Sequence, residues 1–131
     1  MRHEIGDDAR IRYVGYRADV ENVYRVSDVV VMPSRGGEPF GLITIEAGAS
    51  RRPVVATRDG GVPEVIQHGE NGFLVEREDL AGLVQYTALL TSDRELRQRM
   101  GQRARELVEE RFTERPVRIL EQAYERILGR H

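Results

Sequence analysis

Pro33-Ser34-Arg35-Gly36-Gly37-Glu38-Pro39-Phe40-Gly41-Leu42-Ile43-Thr44-Ile45-Glu46-Ala47 joins one apolar run to a helix-like one. The run before it, Asp28-Val29-Val30-Val31-Met32, is nearly continuous in apolar residues, as in strands buried on both faces of a parallel sheet. A loop with two glycines follows, where the backbone can turn sharply and approach a ligand closely. The spacing then predicts a helix over about residues 40–49. Its start, with the amides of Gly41 and Leu42, would lie beyond the carboxyl end of a strand, where open parallel sheets bind ligands. A helix start favours phosphate or diphosphate without needing a basic side chain. Glu38 precedes this helix, and Glu46 lies eight positions later, a little over two turns along. Glu38 is placed to accept hydrogen bonds from sugar hydroxyls, and Glu46 to take the diol of a ribose, since one carboxylate accepts from two hydroxyls. The bland alternatives are a solvated loop acid for Glu38 and an arginine partner across the helix for Glu46.

Working outward, two further β-rich runs flank this unit, at residues 11–14 and 53–57. Helix-like stretches follow at residues 19–26 and 63–67, the second opened by a proline, which suits a helix start. Strand and helix alternating three times predicts an α/β fold: a partial Rossmann-like parallel sheet with C-terminal helices. A fourth short strand is expected at Gly72-Phe73-Leu74-Val75, entered through the turn His68-Gly69-Glu70-Asn71. Leu80, Leu83, Val84, Thr87 and Leu90 then repeat at helical spacing. Ser92-Asp93-Arg94-Glu95 has the form of a capping box opening a second helix, and Thr113 is placed to cap a third that stops at Gly129.

Composition narrows the chemistry. A chain of 131 residues suits one core and one domain. With no cysteine there is no disulfide, thiolate metal site or cysteine nucleophile, and a reducing, cytoplasmic setting is expected. All 20 basic residues are arginine, which excludes a Schiff-base lysine or a lysine phosphate clamp within the chain. The arginines alternate with carboxylates, so solvated helix faces are expected rather than nucleic-acid binding. No stretch approaches the roughly 18 apolar residues of a membrane span. His3, His68 and His131 are scattered without ligand spacing, so no metal site is expected.

Glu38 and Glu46, set within Glu-Pro-Phe-Gly-Leu-x-x-x-Glu-Ala, resemble the signature of the large retaining GT-B glycosyltransferase family. Ser27-Asp28-Val29-Val30-Val31-Met32-Pro33-Ser34, Pro53-Val54-Val55-Ala56-Thr57, Gly60-Gly61-Val62-Pro63-Glu64 and Asn71-Gly72-Phe73-Leu74-Val75 are similar to it in the same order. The likeness runs from about residue 11 to residue 131, and identifies the chain with the second half of a donor-binding domain. It implies metal-independent transfer of a sugar from a nucleoside diphosphate, with retention and no cofactor. Glu38 would then hold the donor sugar as the catalytic residue. Gly41 and Leu42 would offer amides to the distal phosphate and Glu46 would bind the ribose. Gly15 and Tyr16 would lie beside the nucleobase.

The family's opening strand, glycine turn and basic pair are not found before residue 11, nor is the acceptor domain. The expectation is therefore a donor-site portion that is inactive alone and completed by a missing N-terminal acceptor domain or a partner chain. A homodimer through an edge strand at residues 11–16 is a further expectation. The alternative is a non-catalytic assembly or nucleotide-binding module that keeps the fold. Arg51-Arg52 stands where the family often has glycine before its Pro-Val-Val strand, so a helix stop there would strain the backbone by ~1 kcal/mol if a left-handed residue is needed.

Overall fold

The computed structural model describes residues 6–37 and 40–112. Three parallel strands, β1 (Val30–Met32), β2 (Val54–Thr57) and β3 (Gly72–Val75), lie side by side in chain order. Val30 pairs with Val54, and Val54 with Gly72. Helix α1 (Val20–Val26) precedes β1, α2 (Leu42–Ala49) links β1 to β2, and the single turn α3 (Val62–Val65) follows β2. After β3 come α4 (Leu80–Ser92) and α5 (Arg94–Arg111). The α/β parallel-sheet expectation therefore holds for the described residues.

The unbroken apolar strands are explained by two cores. On one face Val54, Ala56 and Leu74 pack with Tyr24, Met32, Ala47, Val62 and Ile66. On the other, Val55 and Phe73 pack with Leu90 and Met100. All four residues of β2 are buried, and so are all four of β3. Fully burying a side chain such as Val55 stabilises by about 1.5–3 kcal/mol, so alternation with polar residues would be costly here.

Several local expectations are corrected. Residues 11–14 form no strand, and Tyr13 and Val14 are half exposed. At its start the Ile11 amide donates to the Asp8 carbonyl, and the Asp8 carboxylate takes the Arg10 amide and guanidinium. Among the described residues no strand lies alongside the run, and it does not join the sheet. The edge expected for pairing at residues 11–16 is thus not built, and the accessible margin of the sheet is β1, where Val31 is 39% exposed. The cap of α5 is Asp93, whose carboxylate accepts from the Leu96 amide, and not Ser92. Ser92 closes α4, its hydroxyl donating to the Leu89 carbonyl. The helix expected at 63–67 ends at Val65, because Asn71 takes the Gln67 amide and donates to the Val65 carbonyl. The third C-terminal helix, from Thr113 to Gly129, lies outside the described residues.

The junction from α2 to β2 is as the sequence suggests. Arg51 adopts the left-handed conformation, with φ of 58°. The Arg52 amide donates to Ala47 and the Arg51 amide to Gly48, the paired bonds of a Schellman stop. A glycine would do this without steric cost. Arginine does it against about 1 kcal/mol of backbone strain.

Candidate functional site

The site is organised by α2 and the loop that delivers it. Gly41 caps the helix in the left-handed region, with φ of 67°, which places the first turn directly after a sharp change of direction. A side chain here would also meet Thr44 and the backbone of Val62 at the start of α3. Both conformation and space therefore call for glycine. The Thr44 and Ile45 amides and the Thr44 hydroxyl all donate to the Gly41 carbonyl, which fixes the helix start. The first amides of a helix have no intrahelical acceptor. Those of Leu42 and Ile43 have no partner among the described residues. Phe40 is 53% exposed and Leu42 36% exposed, with Gly41 between them buried, so the residues on either side of the cap reach solvent.

Glu46 lies four residues after Leu42, on the same face of α2 and about 6 Å further along the axis. Its neighbours Ala47 and Gly48 are buried, while Glu46 itself is exposed. The Tyr24 hydroxyl, from α1, donates to its Oε2 at 2.9 Å. Tyr24 is only 7% exposed. Burial, and then the hydrogen bond to Glu46, push its pKa far above the ordinary tyrosine value, so it remains a donor. Its own carbonyl accepts from Arg52 Nε at 2.9 Å, tying α1 to the end of α2. The carboxylate borders a shallow groove of about 290 Å³ between these two helices, floored by Val20, Tyr24 and Ala49. In the sequence Tyr24 falls at helical spacing with Val20 and Val23, as a packing residue does. A buried tyrosine where phenylalanine would fill the space was the available signal that its hydroxyl has a partner.

The loop from β1 is held from two sides. The Thr57 hydroxyl, at the end of β2, donates to the Ser34 carbonyl at 2.6 Å. Arg77, just after β3, pairs at 2.6 Å with Asp59, which is 4% exposed, and its guanidinium lies beside Gly36. The loops after all three strands are thereby linked at the carboxyl end of the sheet. Gly36 and Gly37 both take positive φ, turning the chain towards Glu38. Glu38 itself lies outside the described residues. Gly15 is left-handed, with φ of 66°, and Tyr16 is 95% exposed, so neither belongs to the core.

His68 is structural. Its Nδ1 accepts from the Leu74 amide, and its ring meets Phe73 and Tyr86 edge-on. Among the described residues no three histidine, aspartate or glutamate side chains gather as metal ligands, and no helix is long and apolar enough to cross a membrane.

A helix start with outward amides, followed one turn later by an oriented carboxylate, suits an anion joined to a polyol. A family model described as glycosyl transferases group 1 matches residues 2–107. The chain is 42% identical over 103 residues to an N-acetyl-alpha-D-glucosaminyl L-malate synthase of Bacillus anthracis, covering 79% of this chain and 27% of that protein. It is 45% identical over 103 residues to a D-inositol 3-phosphate glycosyltransferase of Corynebacterium efficiens, covering 77% and 24%. The chain thus spans about a quarter of the length of these relatives. Among solved structures, Anabaena Alr3699/HepE in complex with UDP superimposes with a TM-score of 0.80 at 29% identity, over 97% of this chain and 34% of that one. The C-terminal domain of the group 1 protein LpcC from Francisella tularensis gives 0.68 at 35% identity, over 78% and 52%. The α/β fold described above is that of GT-B C-terminal domains. By its match over residues 2–107, the chain belongs to the group 1 glycosyl transferases.

Proposed function

We propose that this chain supplies the donor-site portion of a retaining glycosyltransferase that uses a nucleoside diphosphate sugar. The observation that carries the reading is the outward start of α2 with Glu46 one turn along, held by Tyr24. In this reading the Leu42 amide, at a helix start capped by Gly41, receives the distal phosphate. Glu46 takes the ribose hydroxyls, its second oxygen kept in place by the tyrosine. Glu38 holds the donor sugar and stabilises positive charge that develops at the anomeric carbon. The departing diphosphate helps to remove the acceptor's proton, so neither a metal nor a separate general base is required. Gly15 and exposed Tyr16 provide a face for the nucleobase.

UDP complexes of Alr3699/HepE support the nucleotide part of this reading. The same reading takes the cytoplasm as the compartment. It assigns to further chain, or to a partner, the acceptor side and the cationic clamp that a departing diphosphate needs. A homodimer is one such arrangement, with β1 as the margin available for it. Without that completion the chain would bind but not transfer.

Calorimetric titration with UDP, GDP and ADP tests this. One nucleotide is expected to bind saturably, binding is lost in Glu46→Ala, and Tyr24→Phe weakens it roughly three- to tenfold, the worth of about 1 kcal/mol of hydrogen bonding. No binding by any of the three nucleotides would leave an assembly module as the better account. Unchanged affinity in Glu46→Ala would remove the ribose role.

A further inference from the structure

The end of the sheet opposite the donor loop carries a polar groove of about 500 Å³. It opens where the chain enters β1 and β2, and α5 forms its other wall. Four arginines line it, Arg51, Arg52, Arg94 and Arg97, against a single carboxylate, Asp28, for a formal charge of 4 − 1 = +3. The whole chain carries −2, so this concentration runs against the overall balance. Elsewhere some of the arginines pair with acids, as in Arg17–Asp19, Arg77–Asp59 and Arg105–Glu109. None of the four groove arginines forms an ion pair among the described residues.

Two of the four are fixed by neutral groups. Arg52 donates to the Tyr24 and Arg25 carbonyls at 2.9 and 2.7 Å. Arg97 donates to the Leu90 and Thr91 carbonyls at 2.9 and 3.2 Å. Carbonyl anchors set the guanidinium planes but leave the charge uncancelled. Arg51 is delivered by the left-handed turn at the end of α2. Arg94 opens α5, where the helix dipole disfavours a cation. An anion held between them would offset that penalty and the mutual repulsion of the arginines. Guanidinium forks match phosphate oxygens two at a time, and Gln98 and Gln102, one turn apart, add neutral amides. The concave shape suits a small molecule.

We propose that this groove binds a small phosphorylated anion, of the phosphate monoester or diphosphate class, at a site separate from the donor loop. The probe is inorganic pyrophosphate, titrated calorimetrically into the full chain and into Arg51→Gln/Arg94→Gln. Both substituted residues are exposed, and circular dichroism checks that the fold is kept. The double variant is expected to bind one pyrophosphate fewer per chain, or to bind it at least tenfold more weakly, with its response to UDP unchanged. Equal stoichiometry and affinity in the two proteins, or no saturable uptake by the unsubstituted chain, would overturn the proposal. A UDP response altered together with pyrophosphate would refute the separation of the two sites.

Discussion

Replacing Gly101 by alanine tests how α5 fixes the rest of the molecule. A Cβ at this position would lie 2.2 Å from the Arg51 carbonyl oxygen and 3.0 Å from its carbon. Ordinary carbon–oxygen contacts begin at about 3.3 Å, so the helix and the turn must separate by about 1 Å. That turn leads straight into β2, whose four residues are buried, and neither backbone can rotate out of the way. Overpacking of this kind costs about 1–3 kcal/mol. Alanine recovers about 1 kcal/mol of helix propensity. With a backbone atom as the obstacle the upper part of the range applies, leaving a net loss of about 1–2 kcal/mol, or roughly 3–8 °C in Tm. Thermal denaturation followed by circular dichroism reads this, and the urea midpoint should fall with an unchanged slope. Gly48→Ala is the internal comparison. There the closest atom is Val108 Cγ2 at 2.9 Å, with the Ala104 carbonyl at 3.3 Å, and a side-chain end yields more cheaply. A Tm for Gly101→Ala at or above that of the unsubstituted chain, or a larger loss in Gly48→Ala, would refute the reasoning.

The assignment of the α5 cap is tested by Asp93→Ala, expected to cost about 1 kcal/mol, while Ser92→Ala changes stability by less than about 0.5 kcal/mol; urea melts of both variants decide. At Asp19, the Arg17 guanidinium, and then the Asn22 amide, lower the carboxyl pKa to about 2. A depressed folded-state value means that this carboxylate's contribution is present above the unfolded pKa near 3.8 and is lost as pH falls towards 2. Carboxyl NMR titration should show Asp19 moving up towards 3.8 in Arg17→Gln.

The sequence made the buried strand β2 legible because Val54-Val55 has no polar face to offer water, whereas the equally apolar Val29-Val30-Val31 run lies at the sheet margin with Val31 39% exposed. Val54 and Val55 indeed point into different cores. The turn at Arg51 was legible too, since a helix ending before Pro53 must reverse within a few residues. Residues 11–14 have equally good β composition and form no strand. Whether such a run extends depends on a neighbour, which local composition does not report. At Ser92-Asp93 two adjacent residues can both cap, and the choice follows from how far Leu90, fully buried, carries α4. In the candidate site, the spacing of Gly41, Leu42 and Glu46 made legible that one helix carries all three, with Gly41 at its start. The Tyr24 contact spans 22 positions, and no local pattern encodes it. Glu38, the sequence's catalytic candidate, lies outside the described residues.

Because β1, β2 and β3 lie in space in the order in which they occur along the chain, each later strand docks beside one that is already formed. During synthesis the sheet can therefore widen progressively, without waiting for a distant segment to be inserted between finished strands. The two rims end up unlike. That of β3 is closed over, its four residues all shielded, whereas that of β1 retains partly open valines. Such polarity makes the layer extendable on one side alone, so any additional strand, from whichever polypeptide, has a single direction of approach.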